Sequence, residues 1–232
     1  MNPDKKFRVS VGPGERVDRF LDGRLSLIQS ENGYRFSIDA LLLADFATIK
    51  EGDLVVDLGA GCGVIGLILL FSRPVKKVWG LEIQEELSRQ AARNVEMNGC
   101  SARMAVIRGD ITRVPIRGDC IDSVVCNPPY RKHRSGRINP HPERAIARHE
   151  ILTGLEGITR AASFLLKPKG RLAMVYPAER LVDLFANLRR VNLEPKRLKL
   201  VYPSLRAGAK LALVEAVIGA RPGLKIESPC FA

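Results

Sequence analysis

The stretch Asp57-Leu58-Gly59-Ala60-Gly61-Cys62-Gly63 constrains this chain more than any other. It follows Leu54 to Leu58, an apolar run that reads as a buried strand. It precedes Val64 to Phe71, the apolar face of a helix that ends near Pro74. A glycine turn between a buried strand and a helix lets main chain come close to a ligand. The helix N-terminus beyond it offers free N–H groups to an anionic group such as a carboxylate. The rest of the chain after residue 50 repeats this alternation of β-branched runs and helical patterns, which is the signature of βαβ units.

The pattern predicts further strands at Lys77 to Leu81, Ala102 to Ile107, Ile121 to Cys126 and Arg171 to Tyr176. Between them it predicts helices at Gln84 to Asn98, Pro142 to Leu166 and Glu179 to Arg190. The first of these places Leu87, Ala91 and Val95 on one face, and Asn98-Gly99 closes it as a C-cap. Lys196 to Val201 and Lys210 to Ile218 read as two more strands, joined by the turn around Pro203 to Gly208. So short a connection cannot make a parallel crossover, so this pair is antiparallel. The expected fold is a doubly wound α/β architecture. Its Rossmann-like sheet has seven strands, mostly parallel, and finishes in an antiparallel C-terminal hairpin. Residues 1–50 are too few for a domain of their own and form an extension packed on a domain spanning 51–232. Within the extension, Ser37 is the N-cap of a helix from Ile38 to Ala47.

At 232 residues the chain can bury one sizeable core. The run Val64 to Phe71 is the longest apolar stretch and is far short of a membrane span. The N-terminus, Met1 to Gly14, has no apolar core of the signal-peptide kind, so a cytoplasmic location is expected. The five cysteines form no C-x-x-C pair and read as reduced, mostly buried thiols. His133, His141 and His149 have no metal-ligand spacing, and no metal is expected. The 37 Lys and Arg outweigh 25 Asp and Glu, a net charge of +12 that favours a polyanionic partner.

Acids at the strand ends define the ligand of the glycine loop. Glu82, with Ile83 beside it, ends the second strand about 20 residues on, where a carboxylate can accept from both hydroxyls of a ribose. Asp110 follows the third strand and can accept from an adenine amino group, while the Ile111 N–H meets the ring. Gly61-x-Gly63-x-x-Gly66 also matches a dinucleotide fingerprint, which on its own is a weak signal. Three features argue against that rival. Asp57 would set a negative charge against a pyrophosphate. Asp110 is a third carboxylate suited to a base edge. The terminal hairpin is foreign to dinucleotide dehydrogenases. The acids and the loop, with Asp57, Gly59, Ala60, Gly61 and Gly63 as its contacts, suit S-adenosylmethionine, whose methionine carboxylate meets the helix N-terminus. Together they resemble the cofactor motifs of class I methyltransferases, over most of residues 50 to 220.

Asn127-Pro128-Pro129-Tyr130 follows the Ile121 to Cys126 strand directly. An exocyclic amine of adenine is a poor nucleophile, because its lone pair is delocalised into the ring. The Asn127 side-chain oxygen and the Pro128 carbonyl can each accept one of its N–H bonds. That fixes the amine and stabilises its growing positive charge. Pro129 stiffens the turn, and Tyr130 offers a ring face to a planar base or amide. Asn127, Pro128 and Tyr130 are therefore the candidate catalytic residues, with Asn127 also against the cofactor. No strong base is needed before methyl transfer, because the proton becomes acidic only once the nitrogen is charged. The tetrapeptide resembles the signature of amino-group methyltransferases acting on adenine N6, cytosine N4 or protein glutamine.

Arg131, Lys132, Arg134 and Arg137 follow at once and set four positive charges at the mouth of the site, suited to phosphates. With Pro129 and Tyr130 they are the candidate substrate contacts. Protein glutamine methyltransferases with this tetrapeptide usually carry a sizeable N-terminal helical domain, and DNA amino-methyltransferases a large recognition domain. Neither fits the length, and a small structured RNA fits best. The segments Asp22-Gly23-Arg24-Leu25, Ile28-Gln29 and Tyr34 to Ala44 resemble one bacterial family, the tRNA adenine-37 N6-methyltransferases that modify a valine tRNA. The resemblance implies that Phe36, Ser37 and Asp39 help close the cofactor pocket and that the partner is tRNA. A protein glutamine N5-methyltransferase and another nucleic-acid amino-methyltransferase remain the alternatives.

Overall fold

The structure is a computed structural model that describes residues 9–31, 38–128 and 154–232. Phe36, Ser37, Pro129, Tyr130, Arg131, Lys132, Arg134 and Arg137 lie outside the described residues, as do the three histidines. The sheet forms from β3 (Leu54–Leu58), β4 (Lys77–Glu82), β5 (Met104–Arg108), β6 (Ile121–Cys126), β7 (Leu166–Pro177), β8 (Leu193–Tyr202) and β9 (Leu211–Ile218). Two short strands, β10 (Lys225–Ile226) and β11 (Cys230–Phe231), complete it. Its order is β10-β8-β9-β7-β6-β3-β4-β5, with β11 also on β8. The strands β5, β4, β3, β6 and β7 run parallel, and β9 is antiparallel to both β7 and β8. The expected doubly wound sheet with its antiparallel hairpin is therefore present. The strand number differs, nine among the described residues rather than seven. The two additions are two-residue pairings of the C-terminal tail along the outer side of β8, too short to carry a sequence pattern. They cover an edge that would otherwise expose unpaired backbone groups.

Alternating side chains of the strands feed two cores. Val55, Val78, Val125 and Val175 join one cluster, whereas their neighbours Val56, Val124 and Met174 join the other. This is the period of two that a strand imposes, and burial on both faces explains why the parallel strands read as continuous apolar runs. The first cluster includes α1 (Ile38–Phe46) and α2 (Val64–Ser72), and Val95 of α3 (Glu85–Met97). The second includes α4 (Leu155–Leu165) and α5 (Leu181–Arg190). The helix α2 is buried all round from Val64 to Leu70, because α1, the strand Leu25–Ser30 and the sheet enclose it. No described helix is long and apolar enough to cross a membrane.

Three expectations need correction. A single helix from Pro142 to Leu166 is broken at Gly154, whose φ of −71° and ψ of 168° are extended, so α4 begins at Leu155. Residues 142–153 lie outside the described residues. Of the five thiols only Cys62 and Cys126 are buried; Cys100, Cys120 and Cys230 are half-buried. The extension, finally, contains strands that were not foreseen. β1 (Glu15–Phe20) and β2 (Leu25–Ser30) make an antiparallel hairpin. Its loop places Asp22 and Gly23 at φ +55° and +80°, the left-handed region that an Asp-Gly pair tolerates.

The free side of β2 is paired by side chains instead of a third strand. Asn94 Oδ1 accepts the Ile28 N–H at 2.6 Å, and its Nδ2 donates to the Ile28 carbonyl at 3.1 Å. Four residues on, Asn98 Oδ1 accepts the Ser26 N–H at 2.9 Å and its Nδ2 donates to the Ser26 carbonyl at 2.7 Å. One helical turn rises about 5.4 Å, close to the roughly 6.6 Å between alternate strand residues, so two amides on α3 can imitate a strand edge. Arg93, on the same helix, donates to Glu15 of β1 at 2.8 Å and holds that carboxyl down at about 2. At the other end of the sheet, Thr48 donates to buried Glu215 from both its N–H and its hydroxyl, at 2.8 and 3.0 Å. Arg197 joins Thr48, Glu215 and Glu227, tying the exit of α1 to β8, β9 and the tail.

Replacing Asn94 by Ala strands the buried Ile28 N–H and carbonyl together. We expect a loss of about 3–5 kcal/mol, against about 1–2 kcal/mol for Asn98→Ala at its half-buried site. Urea unfolding midpoints decide the order. Equal losses would show that the two amides are interchangeable.

Candidate active site

The carboxyl ends of β3, β4, β5 and β6 lie side by side and carry the candidate residues. The register aligns Leu58 with Leu81 on one side and with Cys126 on the other. The first residues beyond β3 and β6, Gly59 and Asn127, therefore stand level on adjacent strands, about 5 Å apart across the sheet. This is also where the winding reverses direction, the position at which ligands bind in open α/β sheets.

The glycine loop is stitched to the end of β4. The N–H groups of Gly59 and Ala60 both donate to the Leu81 carbonyl, at 2.9 and 3.0 Å. Gly59, Gly61 and Gly63 have φ of +74°, +56° and +82°, which only glycine adopts without strain. Around Gly59 an added Cβ would meet nothing within 4 Å, so open space lies above the turn. Gly66 has a packing role instead, since its Cβ would stand 2.8 Å from Met104 Cε. It brings α2 close to the sheet.

Glu82 is buried, and its two oxygens accept from the N–H groups of Gly61 at 2.8 Å and Gln84 at 2.9 Å. These bonds leave lone pairs of the carboxylate open to further donors. Burial raises its pKa, and the amides of Gln84, Gly61 and Ile83 work against that rise. Asp110 accepts the Thr112 N–H at 2.7 Å and caps the short turn that begins at Ile111. Ile83, Asp110 and Ile111 are all half-buried. Asp39 stands in the first turn of α1, which packs on α2, β7 and β9.

Asp57 differs from the other acids. It has no exposed surface, and neither carboxylate oxygen finds a hydrogen-bond partner. Burial pushes its pKa up to about 7, and the charge of Glu82 adds to the rise. The Gly66 amide in the first turn of α2 leans toward it, short of a hydrogen bond, and offsets a part. Asp57 is thus sealed beneath the loop, and it can act on a ligand above only through its field.

Asn94 is the residue sequence reasoning missed. Its Nδ2 also donates to the Cys62 carbonyl at 2.9 Å, so the amide that holds β2 holds the glycine loop as well. The signal was a polar residue at a buried helix position beside Ala91 and Val95, with a second Asn four residues on.

A sulfonium cofactor fits these residues. It is cationic, and a buried carboxylate without a partner calls for a cation nearby. It brings a ribose diol to an acid with spare lone pairs and a carboxylate to a helix N-terminus. The glycine turn leaves room for it.

Known proteins agree. A family model described as the methyltransferase small domain matches residues 37–191. The tRNA1(Val) (adenine(37)-N6)-methyltransferase of Porphyromonas gingivalis is 33% identical over 176 residues, which cover 72% of this chain and 68% of that protein. Among solved structures, a predicted O-methyltransferase of Agrobacterium tumefaciens superposes with a TM-score of 0.68 at 23% identity, covering 83% of this chain and 86% of its own. Geranyl diphosphate C-methyltransferase of Streptomyces coelicolor, solved with S-adenosyl-L-homocysteine, gives 0.58 at 13% identity, with 77% of each chain covered. At these identities the structural likenesses speak for the fold alone. Fold and sequence together define a class I S-adenosylmethionine-dependent methyltransferase. More narrowly, the chain belongs to the methyltransferase small-domain family and, within it, to the family of bacterial tRNA1(Val) adenine-37 N6-methyltransferases.

The Asp57 carboxyl gives a prediction with a definite sign. Its pKa in the folded protein, about 7, lies above the 3.8 of a free aspartate. The ionisation-linked cost of its burial is therefore absent below about pH 4 and complete above about pH 7. Asp57→Asn should raise the melting temperature of the ligand-free protein at about pH 8 and leave it nearly unchanged at about pH 4. A bound cation favours the ionised form, so wild-type affinity for S-adenosylmethionine should rise with pH through about 7. In the Asn variant it should be weaker and flatter. Calorimetric titration at about pH 6 and about pH 8 checks this; parallel profiles in the two proteins would remove Asp57 from cofactor binding.

Proposed function

We propose that this chain transfers a methyl group from S-adenosylmethionine to N6 of adenine 37 in the anticodon loop of a tRNA, a valine tRNA as in its relatives. The observation that carries the reading is the placement of Asn127 and Pro128. They leave β6 level with the glycine turn that leaves β3, and they open the tetrapeptide whose chemistry suits an exocyclic amine. The reading divides the chain into an N-terminal extension, residues 1–50, packed on a methyltransferase domain, residues 51–232.

The cofactor, when bound, supplies an electrophilic methyl group on a positively charged sulfur. Everything else falls to the protein. Glu82 and Asp110 bind the ribose and the adenine amino group, with Ile83 and Ile111 beside them. The loop from Gly59 to Gly63 receives the methionine end, and Phe36, Ser37 and Asp39 close the pocket. The Asn127 side-chain oxygen and the Pro128 carbonyl accept the two N–H bonds of the target amine. They turn its lone pair out of the ring plane and stabilise the charge that develops on nitrogen. Once methylated, that nitrogen is acidic and loses its proton without a dedicated base. Tyr130 stacks on the extruded ring, and anticodon-loop bases cost less to extrude than duplex bases. Arg131, Lys132, Arg134 and Arg137 contact phosphates.

Two measurements test this. Asn127→Ala should cut kcat by at least about a hundredfold while cofactor affinity stays within a few fold; retained turnover would misplace the reaction centre. Incubation with labelled cofactor, followed by separation of RNA, DNA and protein, should put the label in tRNA. Nucleoside mass spectrometry should then find N6-methyladenosine at position 37. Label confined to protein would replace this substrate by a glutamine side chain.

A further inference from the structure

The β8–β9 turn, residues 203–210, stands on the same edge of the sheet as Asn127. β7 runs parallel to β6, and β9 runs back from the β7 exit, with Pro177 opposite Leu211. Following the register, Asn127 is level with Val175 and hence with Leu213. Lys210 is then two strands across from Asn127, about 10 Å, and three residues further out, about 10 Å. That is a span of one or two nucleotides around a base held at Asn127.

The turn is built for a polyanion. From residue 195 to residue 214 the chain has five Lys or Arg and no Asp or Glu. The three lower cations are engaged: Lys196 donates to the Arg221 carbonyl at 2.9 Å, Arg197 pairs with Glu215 and Glu227, and Lys199 pairs with Glu227 at 3.4 Å. The two at the rim, Arg206 and Lys210, are exposed and pair with no described carboxylate. Their mounting is fixed by backbone bonds. The Lys210 N–H donates to the Val201 carbonyl at 2.9 Å, and its carbonyl accepts the Ala178 N–H from the β7 exit at 3.0 Å. Leu205 stands beside them at the tip, 87% exposed, an apolar side chain that water does not favour. The adjoining exit of β7 adds little net charge, since Glu179 is followed by Arg180, which lies over the Tyr176 ring and 3.7 Å from Asp183.

We propose that this turn is a second RNA-binding surface, in which Arg206 and Lys210 contact phosphates flanking the target base. It rests on the reading of the substrate as tRNA. It is separate from the basic run after Tyr130, because it hangs on β8 and β9 rather than on the β6 exit. Phosphate contacts of this kind position the nucleic acid without reading its sequence.

The test uses the full chain carrying Arg206→Glu and Lys210→Glu together, with Lys76→Glu as a control. Lys76 is exposed at the start of β4, on the opposite edge of the sheet. S-adenosylhomocysteine binding and the melting temperature should match wild type in both variants, since neither rim side chain pairs with another described residue and the Lys210 backbone bonds survive the substitution. In the double variant, tRNA binding should weaken about tenfold or more, and the slope of log affinity against log salt should fall by about 1–2. KM for tRNA should rise with kcat unchanged at saturation, and Lys76→Glu should do none of this. If wild type binds and methylates tRNA while the double variant matches it in affinity and salt slope, the turn is not an RNA surface and the substrate reading stands. If wild type binds no tRNA and methylates a protein instead, the substrate reading fails and this inference fails with it.

Discussion

One buried amide holds the cofactor end of this molecule together. Asn94 bonds the Ile28 N–H, the Ile28 carbonyl and the Cys62 carbonyl at once. Those groups belong to the N-terminal hairpin and to the glycine loop, and the amide itself belongs to α3. None of the three segments can satisfy its own buried groups there. Among the described residues β2 pairs only with β1, and the Cys62 carbonyl of the loop accepts from the Asn94 amide. An amide has two donors and an acceptor with two lone pairs, so a single side chain can serve a strand edge and a turn together. Asp at this position would offer only acceptors to two carbonyls. The short helix-to-strand repeat then lets Asn98 extend the same pairing by one step.

How much of this was legible follows from where each constraint is written. The strand Ile121 to Cys126 was readable to the residue because its apolar residues, Ile121 and the run Val124 to Cys126, are bounded directly by Asn127-Pro128. The Asp57-to-Gly63 turn was readable because its three positive φ values favour glycine at alternate positions. The hairpin Glu15 to Ser30 was not read, although Asp22-Gly23 marks its turn. β1 is half-exposed and charged, and its apolar residues do not alternate cleanly. The partner that makes β2 stable lies 66 and 72 residues away on α3, where no local pattern can announce it. The tail strands escaped for the same reason. Lys225–Ile226 and Cys230–Phe231 are strands only because β8 offers an edge. Among the acids, sequence placed Asp57, Glu82 and Asp110 at strand ends but could not tell them apart. Only the fold shows that Glu82 is already braced by two amides while Asp57 is sealed and without a partner.

Charge is sorted in a way that lets one edge of the sheet serve two ligands of opposite sign. The carboxylates sit at the ends of β3, β4 and β5, where Asp57 and Glu82 are buried and the charge of Glu82 adds to the cost of ionising Asp57. That cost is what a cation recovers on arriving, so the same desolvation that raises the Asp57 pKa sharpens the preference of the site for a sulfonium over a neutral nucleoside. The net charge of +12 lies elsewhere. At the outer strands the acids Glu194, Glu215 and Glu227 are consumed by Arg189, Arg197 and Lys199. β9 stands three strands from β3, about 14 Å across the sheet, which exceeds the screening length of about 8–10 Å at ordinary salt. A polyanion at the β9 end therefore feels the exposed cations there more than the acids of β3 to β5.

The antiparallel hairpin has a consequence for this division. Had β8 and β9 continued the parallel pattern, the connection between them would have been a crossover helix on a face of the sheet. The carboxyl edge beyond β7 would then have carried only a strand end and a helix start. Reversing one strand replaces that helix with a tight turn on the carboxyl edge itself, carried on two strands that are paired along nearly their whole length. Such a turn is rigid at its base and presents side chains outward. In this chain those side chains are Leu205, Arg206 and Lys210. The reversal that separates this fold from the dinucleotide enzymes is thus also what gives the substrate side of the sheet a firm rim, level with the cofactor side and opposite to it in charge.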